Sequence, residues 1–550
     1  MDKKEILLLF PPVWLYEVPP LGIPTLKAFL EKKGLKVTQK DLNVDFWGQF
    51  KRDEELRVIY DNLKKYLGEQ EKNKNLTKKE AFFYMQMELI SKNSFEEFKE
   101  KVLSEKFDYK VSFMDVYKMF SSYSAEPPKE IKESNLFYLD NYFIGFSDSY
   151  YSLSSSKLFE HCKSKSNKFR KYFEELLSND LNEFNFPVIG ISIIGASQVV
   201  PALTLAFLLK ENFPEIHITV GGPWCTQLFD VLSEKKEFFD FVDSVVFFEG
   251  ETALTQISKR ILEKGSLDGV PNIAFRRGNE VIKNEIVCSQ NLDELPVPNF
   301  DGFALEKYRI KNTLSLQTSR GCFWGKCIFC SYPFFESKYK ERKIELVIED
   351  LKKLKEKHGM NCIAFADSAV RPARLEAIAK ALIESKLDIR YSSFARFDKK
   401  IIPILGLLKQ SGCERLIFGL ESGSPRILNV INKGINLEDV KEVLKETKKA
   451  GLLNQITVMY GLPTETFDDV KKTLDFLREN REIIDYFTYG KFIAEKHTLV
   501  EQLQEKFGIE LKKHPKFDLD LGYVFESKTL TKEEQKRADK ELKELSWRYE

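Results

Sequence analysis

The sequence predicts an α/β fold in which a doubly wound Rossmann-like domain precedes a partial (β/α)6 barrel, with a helical insertion and a C-terminal extension. Three observations support this prediction. Short apolar runs of strand length alternate with helical patterns near the start of the chain and again before its middle. Six further pairs of strand and helix follow in the second half, and the stretch after the first two strands has helical periodicity instead.

The doubly wound domain is predicted from residues 1–50 together with residues 185–275. A strand at Glu5–Phe10, a helix at Thr25–Lys33 and a strand at Lys36–Leu42 open a parallel sheet. The same alternation resumes later with strands at Val188–Ile194, His217–Val220 and Val242–Phe248 and helices at Val199–Asn212 and Thr252–Lys264. These lengths fit a small open sheet that is covered by helices.

Residues 51–184 are predicted to be a helical insertion, because charged and aromatic residues recur there in helical patterns such as Lys79–Lys92 and Lys157–Ser178. Aromatic residues at this spacing are more typical of a packed core than of a binding surface. A hairpin within Asn272–Asn299 and the proline-containing run Glu294–Pro298 then place a domain boundary near residue 300. Residues 276–312 are the predicted linker to the barrel.

The barrel is predicted over residues 313–497 and is expected to stop at six strands rather than close with eight. Its strands are expected near Leu314–Thr318, Asn361–Ala366, Ile389–Phe394, Arg415–Leu420, Gln455–Tyr460 and Tyr486–Phe492. The C-terminal extension, residues 498–550, ends in a predicted helix. Thr531 and Glu534 have the spacing of a capping box at its start.

Length and composition predict a cytoplasmic protein of several domains. The 85 basic and 84 acidic side chains nearly cancel, which argues against a polyanionic partner. The apolar run Ile6–Phe10 is too short for a secretory signal. The uncharged segment Val188–Leu209 is long enough to cross a bilayer, but its turn residues and Pro201 favour a buried strand, a turn and a helix.

Three of the eight cysteines, Cys322, Cys327 and Cys330, stand within nine residues just past the first barrel strand. Parallel barrels carry their chemistry at this carboxyl end of the strands. Three thiolates on one loop suit an iron–sulfur cluster with four irons and leave one iron open. Structural zinc is an alternative that requires four closed ligands, and the nearest downstream histidine is His358. Free buried cysteines are the remaining alternative.

This loop resembles that of the radical SAM superfamily, with Phe329 before the last cysteine. Four residues rather than three separate Cys322 from Cys327, and Gly325 offers the backbone freedom to accommodate the extra one. Four further barrel motifs share the resemblance, one at the end of each of strands two to five. They are Phe365–Ser368, Phe394–Asp398, Gly419–Pro425 and Gly461–Thr466.

The resemblance implies a [4Fe-4S] cluster on the three cysteines and S-adenosylmethionine (SAM) at the open iron. It also implies that Glu421 contacts the ribose hydroxyls and Arg396 the methionine carboxylate, and Asp367 and Ser422 are further predicted SAM contacts. A structural ion pair is the alternative for Glu421, and an interdomain salt bridge is the alternative for Arg396. Electron transfer from the cluster would then cleave SAM and produce a 5′-deoxyadenosyl radical that takes hydrogen from a substrate.

The motif that contains Glu421 also has a local interpretation. Ser424 followed by Pro425 is typical of a helix N-cap and a first-turn proline. Part of the motif therefore predicts the start of a helix independently of any ligand. No catalytic residue is assigned from the sequence.

Motifs at the strand ends of the first domain resemble the cobalamin-binding domain that precedes the barrel in one branch of this superfamily. They are Phe10–Pro12, Pro19–Pro24, Asp41–Asn43, Gly190–Ser192, Gly221–Pro223 and Glu249–Thr252. Ligands of doubly wound sheets bind at this edge, although glycine pairs are also ordinary turn residues. The predicted cobalamin contacts are Leu21, Gly22, Ser192, Ser197, Gln198, Gly221, Gly222, Glu249, Gly250 and Thr252.

The first histidine of the chain is His161, well after the first strand. The methionine-synthase type of cobalamin domain offers a histidine to cobalt directly after that strand. No histidine is therefore expected on the lower face of cobalt, and the turn Gly195–Gln198 is the predicted neighbour of the corrin.

The predicted function is a cobalamin-dependent radical SAM methyltransferase acting on a carbon of a natural product or peptide. An external electron donor of flavodoxin or ferredoxin type is expected, with no nucleic-acid or membrane partner. Cyclisation or rearrangement with the same cofactors, and a non-catalytic protein that senses cobalamin or redox state, are the alternatives. Methylthiolation of tRNA would need a second cysteine cluster, but Cys162, Cys225 and Cys288 are far apart and a basic stripe is missing.

Overall fold

The computed structural model describes residues 5–49, 149–179, 181–288, 290–335 and 338–546, with isolated positions between 57 and 97. Most of the predicted insertion, including Lys79–Lys92, lies outside the described residues. The described strands form a seven-stranded sheet, a six-stranded sheet and two smaller ones. The largest cluster of buried apolar side chains contains residues of both large sheets, so the two regions share one continuous core.

The N-terminal sheet has seven strands: β1 (Ile6–Phe10), β2 (Val37–Asp41), β3 (Val188–Ser192), β4 (His217–Gly221), β5 (Ser244–Val246), β6 (Ile273–Arg277) and β7 (Glu280–Lys283). They lie in the order β2-β1-β3-β4-β5-β6-β7, and β1–β5 are parallel. The antiparallel hairpin β6–β7 extends this sheet past residue 275. The order 2-1-3-4-5 is one of the two common doubly wound orders, which confirms the Rossmann-like prediction.

The helices of this region are α1 (Gly22–Lys32), α2 (Leu42–Gln49), α3 (Ser155–Lys163), α4 (Lys168–Asn179), α5 (Val199–Asn212), α6 (Pro223–Gln227), α7 (Phe229–Leu232) and α8 (Gly250–Leu262). Helix α5 is apolar on all sides because α3 and α4 cover it. This burial explains the uncharged run that ends at Leu209. Among the described residues, no helix combines the length and apolar character that a membrane crossing requires.

Eight described strands lie between residues 313 and 491: β8 (Thr313–Leu316), β9 (Ser319–Arg320), β10 (Lys340–Glu341), β11 (Cys362–Phe365), β12 (Arg390–Ala395), β13 (Cys413–Glu421), β14 (Leu453–Tyr460) and β15 (Tyr486–Lys491). Strands β8 and β11–β15 form one parallel six-stranded sheet in chain order. Its edges are β8 and β15, so the predicted six-stranded, open barrel is confirmed. Strands β9 and β10 form a separate antiparallel ribbon.

The barrel helices are α9 (Tyr332–Phe335), α10 (Ile344–His358), α11 (Pro372–Glu384), α12 (Leu405–Gln410), α13 (Pro425–Val430), α14 (Leu437–Lys449) and α15 (Phe467–Glu479). Ser424 is the N-cap residue of α13 and Pro425 follows it, as predicted, but the Ser424 side chain makes no capping bond. Its hydroxyl donates to Asp469 Oδ1 at 2.6 Å instead. A carboxylate is a stronger acceptor, so Ser424 ties α13 to the start of α15.

The C-terminal extension contains β16 (Ala494–Glu495), α16 (Leu499–Gln502), α17 (Gln504–Phe507), β17 (Leu511–Lys512), β18 (Gly522–Phe525) and α18 (Lys532–Ser546). The predicted capping box precedes α18: Thr531 N donates to Glu534 Oε2 at 2.8 Å, and Glu534 N donates to Thr531 Oγ1 at 3.2 Å. Helix α18 packs on α15 and β15. The extension therefore covers the last strand of the barrel.

Candidate cofactor site

The three cysteines of the loop lie after β9, at the carboxyl end of β8. Cys327 is buried, Cys322 and Cys330 are half-buried, and all three are free thiols. Burial, and to a lesser extent the nearby charges of Cys327 and Cys322, raises the pKa of Cys330 to about 12. The three sulfurs are thus close neighbours, and a thiolate at Cys330 would need a cation or a metal to stabilise it.

Two cations lie beside this loop. Burial raises the pKa of Cys327, and the charges of Lys433 and Arg396 act in the opposite direction. Lys433 is itself buried, and its ammonium lies 5.9 Å from the centre of the Phe329 ring. Sequence reasoning missed Lys433, which no motif marks. Positive charge at this place favours anionic sulfur and anionic ligands.

Glu421 ends β13 with its carboxylate buried and its backbone at a φ of 68°. Its Oε1 accepts from Lys433 Nζ at 2.8 Å, and its Oε2 accepts from Thr457 Oγ1 at 3.2 Å. A Cβ at Gly419 would lie 2.3 Å from that Oε1, so glycine is required there for the ion pair to form. A left-handed, non-glycine residue at a strand end is typical of a functional site.

Arg396 follows β12 and reaches the same place. Its guanidinium donates to the backbone oxygen of Lys433 and lies 4.5 Å from the centre of the Trp324 ring. Within the described parts of the chain no carboxylate pairs with Arg396, so the predicted alternative of a salt bridge is not observed there. The guanidinium retains donors for an anionic ligand.

Asp367 and Ser422 make contacts within the protein. Asp367 accepts from Thr318 N at 3.1 Å and from both the backbone and the hydroxyl of Ser319, the latter at 2.6 Å. Burial raises its pKa to about 6. Ser422 Oγ accepts from Ser424 N at 3.1 Å. Asp367 thus holds the backbone that leads into the cysteine loop, and contact of either residue with SAM stays a prediction.

Among the described residues, no three His, Cys, Asp or Glu side chains converge on a point where they would hold a single metal ion. A zinc site needs that convergence. In a [4Fe-4S] cluster each thiolate binds a different iron, so the three sulfurs need not meet. Three neighbouring thiols on one loop with two cations beside them fit a cluster that is held by three thiolates.

The N-terminal sheet changes direction between β1 and β3, and ligands of doubly wound folds bind at this switch point. Ser197 Oγ donates to Val13 O at 2.8 Å, and Gln198 Nε2 donates to Pro11 O at 2.7 Å. Gln198 Oε1 accepts from Ile194 N at 2.8 Å. Both side chains are buried. They tie together the loops that follow the two strands, which the sequence did not predict.

Glycines shape the surface at this edge. A Cβ at Gly195 would lie 2.7 Å from the Trp14 ring, so Trp14 covers the turn predicted to lie under the corrin. A Cβ at Gly222 would lie 2.4 Å from Ile193 O, and its φ is 113°. Sequence reasoning missed Trp14, whose only signal was its place just after the first strand.

The remaining predicted cobalamin residues lie along the same edge. Leu21 and Gly22 start α1, Ser192 ends β3, Gly221 ends β4, and Gly250 and Thr252 lie in the first turn of α8. Thr252 is exposed. The structure places these residues near strand or helix ends, and their contact with a cofactor stays a prediction.

Glu249 makes a contact that the sequence did not predict. Its Oε1 lies 3.3 Å from Arg320 and 3.1 Å from Lys340, and its Oε2 accepts from Gln290 N at 2.8 Å. Glu251 Oε1 lies 2.8 Å from Arg320. We call Glu249, Glu251, Arg320 and Lys340 the ionic clamp. It joins the end of β5 to the ribbon β9–β10, two residues ahead of Cys322.

Aromatic rings form a second contact between the two edges. Phe334, in the helix that follows the cysteine loop, stacks on His497 at 4.0 Å between ring centres. It also lies 5.2 Å from Phe248 and 5.7 Å from Phe229 of the N-terminal sheet region. The carboxyl edges of the two sheets therefore meet at the cysteine loop.

Residues 316–477 match the sequence profile of the Radical SAM superfamily. This part of the chain is similar to the radical SAM superfamily. Enzymes of this superfamily use a [4Fe-4S] cluster and SAM. The match contains the three cysteines, Arg396 and Glu421.

Two curated proteins are similar to this chain. An uncharacterized methyltransferase, PH0819, of Pyrococcus horikoshii is 28% identical over 317 residues, which are 56% of this chain and 68% of that protein. The anaerobic magnesium-protoporphyrin IX monomethyl ester cyclase of Synechocystis sp. is 26% identical over 300 residues, which are 53% of this chain and 57% of the cyclase. The matched regions thus span about three fifths to two thirds of these relatives.

A solved structure has a similar fold. The cobalamin-dependent S-adenosylmethionine radical enzyme OxsB, with aqua-cobalamin and S-adenosylmethionine bound, superposes with a TM-score of 0.62 at 15% identity. The alignment covers 98% of this chain and 66% of OxsB. At this identity the likeness establishes a shared fold.

Proposed function

We propose that this radical SAM protein is a cobalamin-dependent methyltransferase that acts on a carbon centre of a natural product or peptide. The observation that supports it most is the meeting of the two carboxyl edges at the cysteine loop, where the ionic clamp joins them. Ligands seated on these two edges would be neighbours. The similarity to a methyltransferase and to the fold of a cobalamin-dependent enzyme supports the same conclusion.

The barrel residues divide the binding of the cluster and SAM among them. Cys322, Cys327 and Cys330 would hold three irons. Arg396 would bind the methionine carboxylate, because no carboxylate among the described residues forms an ion pair with its guanidinium. Glu421 would accept from the ribose hydroxyls, with Lys433 holding its carboxylate in place. When bound, the cluster and SAM supply the 5′-deoxyadenosyl radical, and cobalamin supplies the methyl carrier.

The N-terminal edge would hold a flat macrocycle by shape. Gly195 and Gly222 leave the backbone of this edge without side chains. A Cβ at Gly195 would lie within 3 Å of the Trp14 ring, and a Cβ at Gly222 would lie within 3 Å of Ile193 O. Trp14 covers the turn at Gly195 and would offer an apolar ring to a cobalamin that is held at this edge.

The function is tested on protein reconstituted anaerobically with iron and sulfide, then supplied with hydroxocobalamin, dithionite and methyl-labelled SAM. We expect 5′-deoxyadenosine from the wild type and label on the bound cobalamin. Cys327→Ala should form no 5′-deoxyadenosine, because two thiolates do not retain the cluster. Cys362→Ala is the matched control, since Cys362 is half-buried at the start of β11 and outside the loop. Zinc or no metal at the loop would contradict the proposal.

Cyclisation or rearrangement is the second candidate function, favoured by the similarity to the Synechocystis cyclase. It predicts 5′-deoxyadenosine without transfer of the labelled methyl group. The physiological reductant would be a flavodoxin or ferredoxin, whose reduced form should replace dithionite in the same assay.

A further inference from the structure

Residues 431–434, which we call the loop platform, touch the cysteine loop at several points. Ile328 N donates to Ile431 O at 3.1 Å. Trp324 Nε1 donates to Asn432 O at 3.0 Å, and Asn432 Nδ2 donates to Lys326 O at 3.1 Å. One segment after α13 therefore supports the loop along much of its length.

Trp324 fits the loop platform closely. A Cβ at Gly434 would lie 2.2 Å from Trp324 Cζ2, so only glycine leaves room for the indole ring. Gly434 has a φ of 68°, and Asn432 has a φ of 52°. These two left-handed residues turn the platform towards the loop. The Arg396 guanidinium lies 4.5 Å from the centre of the Trp324 ring and covers it.

The contacts fall where the loop is longer than expected. Trp324 and Lys326 both lie in the gap of four residues between Cys322 and Cys327. Gly325, between them, has a φ of 60°, and a Cβ there would meet Cys322 O at 3.4 Å. The left-handed conformation of Gly325 thus accommodates the extra residue. Its neighbours Trp324 and Lys326 are both hydrogen-bonded to Asn432 of the loop platform.

Trp324 contributes little to the core of the fold. It is half-buried and is not among the apolar side chains that pack into the core clusters. Its hydrogen bond and its ring contacts are with the loop platform, Lys326 and Arg396. Its removal should therefore alter the loop more than it alters the stability of the protein.

We propose that Trp324 is a positioning residue for the iron–sulfur cluster, and that Gly434 is the recess that receives it. The indole sets the path of the lengthened gap so that the sulfurs of Cys322 and Cys327 face one cluster. This inference rests on the proposed assignment of the cluster to the three cysteines.

The experiment measures cluster assembly and retention and does not need turnover. Wild type, Trp324→Ala, Gly434→Ala, the double variant and Gly359→Ala are reconstituted anaerobically, and iron, sulfide and the electron paramagnetic resonance signal of the reduced cluster are recorded. Gly359→Ala is the matched control, because Gly359 has a φ of 61° and nothing within 4 Å of a would-be Cβ. It carries the same backbone strain without the clash.

We expect about four irons per chain in wild type and in Gly359→Ala. Loss of the cluster to a ferrous chelator should be about tenfold faster in Trp324→Ala and in Gly434→Ala. The double variant should lose the cluster no faster than Trp324→Ala, since the clash disappears with the ring. Trp324→Phe, which keeps a ring but not the donor, should recover part of the retention. Cluster-free wild type and cluster-free Trp324→Ala should unfold at the same temperature.

The outcomes separate the two proposals. A wild type that assembles no iron–sulfur cluster overturns the proposed function and this inference with it. If the wild type holds a cluster, and Gly434→Ala and Trp324→Ala retain it as long as the wild type does, the positioning role alone is overturned. Effects of the two substitutions that multiply in the double variant also overturn it, because the two residues would then act independently.

Discussion

The two edges that meet at the cysteine loop are built in different ways. The barrel edge presents charged and reactive side chains: three thiols, the Glu421–Lys433 pair and Arg396. At the turn around Gly195 the N-terminal edge instead presents glycine and an aromatic ring, and two buried polar side chains there, Ser197 and Gln198, bond to backbone. A small charged ligand needs partners of opposite charge, whereas a large flat ligand needs a surface without protruding side chains.

The ionic clamp is the place where the two kinds of edge are joined. Arg320 is 13% exposed, and Glu249 and Glu251 are 9% and 6% exposed, so their charges are largely shielded from water. Glu251 Oε2 has no hydrogen-bond partner among the described residues. Such a group depends on its cation more strongly than a surface pair does.

Among the substitutions that test this comparison, Arg320→Met is expected to have the largest effect on stability. The substitution removes the cation that pairs with Glu251 and leaves Glu249 paired with Lys340. The free energy of unfolding should therefore fall by about 3–5 kcal/mol. The measurement is urea denaturation of the cluster-free protein. Arg276→Met is the control, because the Arg276–Asp240 pair is exposed and should be worth at most about 1 kcal/mol. Equal losses in the two variants would show that the clamp is no more than a surface contact.

A smaller effect is expected at the N-terminal edge from Gly222→Ala. The new Cβ would collide with Ile193 O at 2.4 Å, so we expect about 1–3 kcal/mol more destabilisation than in a control without a collision. Gly269→Ala is that control, with a φ of 74° and nothing within 4 Å. Titration with hydroxocobalamin should also show weaker binding to Gly222→Ala. If both variants unfold and bind alike, the close approach at Gly222 does not shape this edge.

The last prediction concerns how the free energy of unfolding depends on pH. Burial lowers the pKa of His217, at the start of β4, from 6.5 to about 4. Between these values the unfolded chain binds more protons, so stability is lost as pH falls through this window. Wild type should lose about 2 kcal/mol from this group between pH 7 and pH 5, and His217→Gln should lose correspondingly less. The same slope in both proteins, measured by urea denaturation, would exclude this histidine as the cause.

Much of the fold was predictable from local patterns. The six barrel strands and the doubly wound alternation appear in the sequence because buried parallel strands are continuous apolar runs. The pairing of β6–β7 with β5 was not predictable, since a hairpin carries no signal for the sheet it joins. Most of residues 51–184 lies outside the described residues, so the predicted helix at Lys79–Lys92 stays a prediction. The helical pattern at Lys157–Ser178 corresponds to α3 and α4.

Sequence alone was enough to predict that the three cysteines, Glu421 and Arg396 lie together, because each stands at a strand end and parallel strands bring their carboxyl ends to one edge. Only the folded chain could reveal Lys433 beside Glu421, Trp14 over Gly195 and Trp324 against Gly434. It also placed Glu249 beside Arg320, and a cobalamin contact of Glu249 stays a prediction. These partners are far apart or unmarked in the chain, and their proximity depends on how whole elements pack, which local spacing does not encode.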